Sequence, residues 1–142
     1  MTATKTIYLA APLFSNAERE FNCKLRNQIT ERGFSVFLPQ EDSNDTTHMR
    51  HKEKQDHIFQ KNLEAIDNSD IIVAVLDGGS DVDSGTAWEL GYAFATKKTV
   101  FGLKTDFRTL GSEGTVNLMI EVSVDTLSTD INGLMDAPEQ HR

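Results

Sequence analysis

The chain alternates between short apolar runs and longer segments in which apolar residues recur at helical spacing. Apolar runs at Thr6–Ala11, Phe34–Leu38, Asp70–Leu76 and Thr99–Leu103 predict four β-strands. The third run is continuous, which is typical of a central parallel strand that is buried on both faces. A fifth strand is predicted at Val122–Thr126.

Helices are predicted between these strands. After the first strand, four apolar residues recur every four positions, at Ala17, Phe21, Leu25 and Ile29. Ser15 and Glu18 form a capping-box pattern at the start of this helix, and Gly33 is expected as its C-cap. The later helices are a second one carrying Phe59, Leu63 and Ile66, a third from about Gly85 to Thr96, a short segment opened by Asn117, and a closing helix at Asp130–Met135.

Alternating strands and helices predict an α/β fold, a doubly wound, five-stranded parallel sheet in flavodoxin-like order. One domain covering residues 1–142 accommodates the whole pattern. Two long polar loops are expected, at residues 40–54 and 104–116. In such sheets the functional site lies beyond the carboxyl ends of the strands, which directs attention to the loops that follow the strands.

Composition narrows the possible functions. The formal net charge is −8, so the surface repels phosphate backbones and anionic lipid, and neither nucleic acid nor a membrane is expected as a partner. No apolar stretch approaches the roughly 18 residues that span a bilayer, and no signal-peptide pattern occurs at the start. Cys23 is the single cysteine, which is consistent with a cytoplasmic location.

Glu89 is the most informative residue. Every residue from Ala87 to Ala95 is apolar, aromatic or glycine except this one, and a helix that is apolar all round is expected to be buried. An ionised carboxylate is costly in such surroundings unless it has a partner or a chemical role. A Glu that faces solvent or caps a neighbouring backbone would explain the pattern equally well.

Three further residues are candidates at the same edge of the sheet. Asp77 follows the buried third strand, and Asp83 precedes the helix of Glu89; a turn and an N-cap are the simpler explanations. Tyr8 lies within the first strand, on the same face as Ala10, and its buried hydroxyl would need a partner such as Glu89.

No cofactor or metal site is indicated. His48, His51 and His57 lie in or near a polar loop without the compact spacing of zinc ligands, and Cys23 is expected to pack within the first helix. Neither a dinucleotide fingerprint nor a phosphate-binding loop is present at Gly78, Gly79 and Gly85.

The segment Asp83–Ala93, which reads DSGTAWELGYA, resembles the nucleoside 2-deoxyribosyltransferase family. The matches at Lys5–Ala10, Asp70–Asp77 and Val116–Met119 fall in the family's order. This resemblance implies cleavage of the N-glycosidic bond of a 2-deoxynucleoside and transfer of the deoxyribosyl group to another nucleobase. It further implies a homo-oligomer in which neighbouring subunits share active sites.

The resemblance also assigns roles to single residues. Glu89 would attack C1 of the sugar and form a covalent glycosyl-enzyme, and Tyr8 would hold that carboxylate. Asp77 would donate a proton or a hydrogen bond to the base, and Asp83 would bind sugar hydroxyls. From a neighbouring subunit Asn117 would bind the 5′ end, and Met119 would line the pocket.

Two other functions remain open. A hydrolase of 2-deoxynucleoside 5′-monophosphates could use the same nucleophile, but it would need a phosphate pocket, and the first loop offers no cation before Arg19. A non-catalytic nucleoside-sensing module could also occupy this fold. Retention of Tyr8, Asp77, Asp83 and Glu89 together argues against the sensing module, because a binder needs no carboxylate at the anomeric carbon.

Overall fold

The computed structural model describes residues 3–139 as a parallel sheet covered by helices on both faces. The five strands are β1 (Thr6–Ala10), β2 (Ser35–Phe37), β3 (Ile71–Val75), β4 (Thr99–Leu103) and β5 (Thr126–Ser128). The six helices are α1 (Asn16–Glu31), α2 (Pro39–Asp42), α3 (His51–Asp67), α4 (Ser84–Ala95), α5 (Leu118–Ser123) and α6 (Ile131–Glu139), and a short 3₁₀ turn lies at Gly111–Glu113.

The strand order is β2-β1-β3-β4-β5 and every neighbouring pair is parallel, which confirms the predicted doubly wound fold. The chain moves outward from β1 to β2, then returns across the sheet to β3. A crevice therefore opens beyond the carboxyl ends of β1 and β3, where ligands bind in folds of this kind.

The two faces of the sheet hold separate apolar cores. Ile7 and Leu9 of β1 face the helices α1 and α6, and their cluster includes Leu25 and Leu134. Tyr8 and Ala10 face α3, α4 and α5 on the opposite side. The predicted alternation of Tyr8 and Ala10 against Ile7 and Leu9 is thus confirmed. Fully burying each large apolar side chain contributes roughly 1.5–3 kcal/mol.

Several predicted boundaries are confirmed, but the C-cap of α1 and the position of the fifth strand differ from the predictions. Ser15 caps α1 through the expected capping box with Glu18, and the C-cap is Arg32, with Gly33 following at φ 94°. The fifth strand was placed at Val122–Thr126, but Asn117 caps a helix that runs through Ser123, so the strand begins only at Thr126.

The polar segment 40–54 is not one loop. Pro39 begins the short helix α2, and α3 already starts at His51. The first two turns of α3 are polar and carry the ion pairs Arg50–Glu53 and Lys52–Asp56, so they lack the apolar stripe by which a helix is recognised. Over the described residues no helix is long and apolar enough to cross a membrane.

Candidate active site

Tyr8 and Glu89 form a hydrogen-bonded pair at the centre of the α3–α4 face. Tyr8 is completely buried in β1, and its ring stacks on Phe37 of β2 with centroids 5.6 Å apart. Its hydroxyl donates to Oε2 of Glu89 on α4. The predicted hydrogen bond between the Tyr8 hydroxyl and Glu89 is therefore confirmed.

The surroundings of Glu89 favour its protonated form. Burial raises the pKa of Glu89 from 4.5 to about 7, and the nearby negative charge of Asp83 acts in the same direction, whereas the hydrogen bond from Tyr8 opposes both. Burial and the charge of Glu89 raise the pKa of Tyr8 well above its usual range, so the phenol remains a hydrogen-bond donor. A carboxylate that titrates near neutrality, held by a fixed donor, is typical of catalytic positions.

Glu89 faces a pocket of about 710 Å³, within the range of small-molecule sites. The walls come from the loop after β1, one side of α3 and the first half of α4. Aromatic side chains at its wall are Phe14, Phe59 and Trp88, and Trp88 stacks on Tyr92 with ring centroids 5.7 Å apart. This pocket, called here the Glu89 pocket, has the size and apolar lining suited to a ring-shaped ligand.

Helix α3 supplies two polar residues to the Glu89 pocket, Gln55 and Asn62. Oδ1 of Asn62 accepts a hydrogen bond from the buried Ser43 hydroxyl at 2.5 Å, which fixes the orientation of the amide. Neither residue is predicted from the sequence, because polar positions on an amphipathic helix are normally assigned to the solvent-facing side. The signal that could have identified them is their spacing, since residues seven apart lie on one helical face.

Asp83 lines the Glu89 pocket and is also the N-cap of α4. Its Oδ2 accepts hydrogen bonds from the Thr86 amide at 3.0 Å and the Thr86 hydroxyl at 3.2 Å. An N-cap was the simpler explanation for Asp83, and the structure confirms that Asp83 caps α4. The carboxylate nevertheless also lies at the pocket wall, beside Glu89.

Asp77 lies outside the Glu89 pocket. Its carboxylate accepts hydrogen bonds from the Thr105 amide at 2.8 Å, the Thr105 hydroxyl at 2.5 Å and the Asp106 amide at 2.9 Å. It lines a separate cavity of about 320 Å³ together with Glu18 and Arg108. In this chain Asp77 thus anchors the start of the segment that follows β4.

Asn117 and Met119 lie on a different surface, in a groove of about 660 Å³ between α4 and α5. Asn117 caps α5 by accepting a hydrogen bond from the Met119 amide at 2.9 Å. Neither residue lines the Glu89 pocket. Tyr8, Asp83 and Glu89 are therefore brought together, whereas Asp77, Asn117 and Met119 are not.

Helix α4 is apolar nearly all round, yet it is buried on only one face. Leu90 and Ala93 are buried, but Trp88 is 51% exposed and Phe94 is 62% exposed. The prediction of a fully buried helix is therefore wrong. Together with Leu118, Met119 and Val122 of α5, Phe94 forms an exposed apolar surface, called here the α4–α5 patch.

The remaining candidates take part in local contacts. His57 Nε2 lies 2.9 Å from Oδ1 of Asp45, and Cys23 is half-buried against the α1 core. His51 lies in the first turn of α3 and not in a loop. Between residues 3 and 139, no group of three or more His, Cys, Asp or Glu side chains is arranged to hold a metal ion.

Comparison with known proteins gives a consistent result. The model of the nucleoside 2-deoxyribosyltransferase family matches residues 7–134. No curated protein sequence shows significant similarity to the chain.

Similar solved structures cover nearly the whole chain. The 2-deoxyribosyltransferase of Bacillus psychrosaccharolyticus is 28% identical, with a TM-score of 0.81, covering 92% of this chain and 90% of its own. A conserved protein from Enterococcus faecalis V583 is also 28% identical, with a TM-score of 0.83 and coverage of 99% and 100%. The 2-deoxyribosyltransferase of Leishmania mexicana shares the fold at 24% identity, with a TM-score of 0.72 and coverage of 97% and 99%.

Proposed function

Because the chain belongs to the nucleoside 2-deoxyribosyltransferase family, we propose that it transfers a 2-deoxyribosyl group from one nucleobase to another through a covalent intermediate on Glu89. The observation that carries this proposal is the partly buried Glu89 carboxylate, which accepts a hydrogen bond from Tyr8 and faces a pocket of about 710 Å³. The substrates are 2-deoxynucleosides and free nucleobases, and no cofactor is needed.

The reaction has two displacements at the same carbon. In the first, an oxygen of Glu89 bonds to C1 of the sugar while the C1–N bond breaks, and the bonding electron pair leaves with the base, which takes up a proton. In the second, a nitrogen of the incoming base bonds to C1 and the base gives up a proton, which balances the proton taken up by the first base. The bond between C1 and the Glu89 oxygen breaks, and the carboxylate is restored. Two inversions retain the configuration at C1.

Tyr8 and Asp83 support Glu89 in different ways. The Tyr8 hydroxyl holds one carboxylate oxygen of Glu89, which orients the other for attack. In Asp83 only Oδ2 is used by the α4 cap, which leaves Oδ1 to accept a hydrogen bond from a sugar hydroxyl. Gln55 and Asn62 supply amide groups that can bind the polar edge of a base, while Phe59 offers an aromatic face.

The source of the proton for the leaving base stays a prediction. Asp77 was expected to act on the base, but three hydrogen bonds from Thr105 and Asp106 occupy its carboxylate in the isolated subunit. These contacts favour a role in which Asp77 acts through the segment after β4.

We further propose a homo-oligomer whose active sites are shared between subunits, as expected for Asn117 and Met119. The α4–α5 patch supports this proposal, because clustered exposed apolar side chains on a soluble domain mark interaction surfaces. Met119 is 72% exposed and Val122 is 81% exposed, so both are available to a second subunit.

An exchange assay tests the proposed function. The protein is incubated with deoxyinosine and adenine, and deoxyadenosine is the expected product. Glu89→Gln keeps the shape of the side chain and its hydrogen bond with Tyr8 but removes the nucleophile, so exchange should stop. Release of base without exchange would identify a hydrolase, and binding without turnover would identify a sensing module.

A further inference from the structure

The Glu89 pocket has a polar end and an aromatic end. Asp83 caps the start of α4, and Trp88 lies further along the same helix. The rise between these two positions is about 7–8 Å along the helix axis, so their side chains line different parts of the pocket. Phe59 of α3 contacts Trp88, with ring centroids 5.5 Å apart and an interplanar angle of 64°. Phe59 and Trp88 together form what is called here the aromatic end.

Trp88 is supported by the residues next to it on α4 and at the end of α3. Its ring stacks on Tyr92 with centroids 5.7 Å apart and an interplanar angle of 6°. The Tyr92 hydroxyl donates to Oδ1 of Asp67, the last residue of α3, at 2.6 Å. Nζ of Lys98 donates to the carbonyl oxygen of Asp67 at 2.7 Å, which holds this end of α3 against the turn after α4. These contacts restrict the rotation of the indole.

The aromatic end keeps much of its surface exposed. Trp88 is 51% exposed and Phe59 is 47% exposed, and both line the pocket of about 710 Å³. A ligand that covers these rings removes apolar surface from water, which favours binding. Because Tyr92 already restricts the indole, Trp88 loses little conformational freedom when a ligand covers it. This end of the pocket is therefore suited to a flat apolar group.

A nucleoside presents two kinds of surface to this pocket. Its sugar carries hydroxyl groups, which need acceptors such as Asp83, whereas its base has flat apolar faces and a polar edge. Aromatic side chains stack on every base, because each base has a π face. Asn62 follows Phe59 by one helical turn on α3, so its amide can bind the polar edge of a base that lies against Phe59. When the sugar hydroxyls bind at Asp83, the base bonded to C1 extends toward the aromatic end.

The number of rings in the base decides how much of the aromatic end is covered. A purine has two fused rings and a pyrimidine has one, so a purine extends further from C1 and overlaps more of Trp88 and Phe59. Both the apolar area removed from water and the stacking interaction increase with this overlap. Binding at the aromatic end therefore favours purines.

We propose that Trp88 is a specificity-determining residue, whose indole contacts the nucleobase at the aromatic end and favours purine over pyrimidine deoxynucleosides. This inference rests on the proposed function and adds to it the class of base that the pocket prefers. Phe59 completes the contact with the base, and the stack on Tyr92 keeps the indole in place.

Binding without turnover is measured in Glu89→Gln, which lacks the nucleophile. Trp88 is the only tryptophan of the chain, so tryptophan fluorescence reports directly on its surroundings. Deoxyinosine and deoxyuridine are compared, because each base carries a carbonyl group beside a ring N–H and the two differ chiefly in ring number. Deoxyinosine should change the fluorescence and bind at least about fivefold more tightly than deoxyuridine. A fluorescence that neither nucleoside changes, or an affinity for deoxyuridine as high as that for deoxyinosine, would overturn the inference.

Exchange kinetics test the same contact in the active enzyme. The ratio of kcat/KM for deoxyinosine to that for deoxyuridine is measured in the wild type, Trp88→Leu and Trp88→Phe. Trp88→Leu should lower this ratio at least about fivefold, mainly through a higher KM for deoxyinosine. Trp88→Phe keeps an aromatic ring and should lower the ratio less. A merely structural role of Trp88 would lower kcat/KM for both nucleosides equally and leave the ratio unchanged.

Phe107→Leu is the matched control for the loss of an exposed aromatic ring. Phe107 is 95% exposed and does not line the Glu89 pocket, so its replacement should leave the ratio unchanged. Equal effects of Trp88→Leu and Phe107→Leu, or a wild type without a preference for deoxyinosine, would contradict the inference. A Trp88→Leu enzyme that keeps the wild-type ratio but dissociates in sedimentation velocity would also contradict it, because Trp88 would then belong to a subunit interface.

The outcomes separate this inference from the proposed function. If the wild type exchanges no bases, the proposed function fails, and the fluorescence titration still decides whether the pocket prefers purines at Trp88. If Trp88→Leu does not fold, the titration of Glu89→Gln decides alone, because it requires no substitution at Trp88.

Discussion

The hydroxyl of Tyr8 donates a hydrogen bond to Oε2 of Glu89, a residue 81 positions later in the chain. The contact joins the central strand β1 to helix α4, which covers it, so neither side chain can turn away without losing this hydrogen bond. Glu89 of this pair lines a pocket of about 710 Å³, which is large enough for a nucleoside. Such rigid support is what a nucleophilic carboxylate needs.

Replacing Tyr8 by phenylalanine should move the pH dependence of the reaction. The tyrosine hydrogen bond lowers the pKa of Glu89, which burial brings to about 7, so its loss should raise that pKa further. In the proposed mechanism Glu89 attacks C1 as the ionised carboxylate. The rising limb of kcat/KM should therefore shift upward by roughly one pH unit, with a loss of rate of about tenfold or more.

Phe37→Leu is the matched control for this experiment. It removes the ring that stacks on Tyr8 but leaves the hydroxyl of Tyr8 in place. The rising limb of kcat/KM for Phe37→Leu should remain at the pH at which the wild type has it. If the rising limb of kcat/KM for Tyr8→Phe lay at the same pH as in the wild type, the Tyr8 hydroxyl would not affect the pKa of Glu89.

Glu89→Gln should stabilise the protein in a manner that depends on pH. The pKa of Glu89 is raised from 4.5 to about 7 in the folded state, so between these values the folded protein holds a proton that the unfolded chain has released. The wild-type free energy of unfolding therefore falls as the pH rises through this range. Glutamine does not ionise, so the free energy of unfolding of the variant does not fall in this way over the same pH range.

Urea unfolding at pH 5 and pH 8 measures this effect. The excess in the free energy of unfolding of Glu89→Gln over the wild type should be larger by about 2.5 kcal/mol at pH 8 than at pH 5. Glu20→Gln, on an exposed position, should show no such change. An identical difference at both pH values would mean that Glu89 is not desolvated.

Asp77→Asn and Thr105→Val test whether Asp77 acts through the segment after β4. The Thr105 amide and hydroxyl both donate to Asp77. Both substitutions loosen the same contact, so we expect both to raise KM, Asp77→Asn by about tenfold and Thr105→Val by less, with kcat within about threefold. A fall of kcat confined to Asp77→Asn would instead support a proton donor at the base.

Val122→Asp should dissociate the proposed homo-oligomer. Val122 lies in the α4–α5 patch, and a buried unpaired charge at an interface is costly. Sedimentation velocity should show a smaller species, and exchange activity should fall because Asn117 of one subunit no longer reaches the site of another. Phe107→Asp, at a residue that is 95% exposed and outside the patch, should change neither. A monomeric wild type would refute shared sites.

Much of the fold could be predicted from hydrophobic patterning, because strands buried on both faces and capped helices leave strong signals. The continuous apolar run before Asp77 contains β3, and the capping box at Ser15 marks the start of α1, as predicted. The strand predicted at Val122–Thr126 is wrong, because apolar and polar residues alternate locally in this segment as they do in a strand. The Asn117 cap, acting five residues earlier, extends the helix through Ser123.

The site could be predicted only in part. Tyr8 and Glu89 were recognisable because each places a polar group in apolar surroundings. Gln55 and Asn62 were not, because nothing in a polar helical segment tells which face borders a pocket. The separation of Asp77 from Glu89 follows from the hydrogen bonds that Thr105 offers, which are contacts between distant parts of the chain.

The central claim is that Glu89 carries the deoxyribosyl group between the two half-reactions. The most direct measurement is mass spectrometry of protein that has been incubated with a deoxynucleoside and quenched in acid. We predict a mass increase of one deoxyribosyl group on the peptide that contains Glu89, its absence in Glu89→Gln, and its loss when an acceptor base is added before quenching. A Glu89→Gln enzyme that still exchanges bases at a rate near that of the wild type, or an adduct on another residue, would contradict the account.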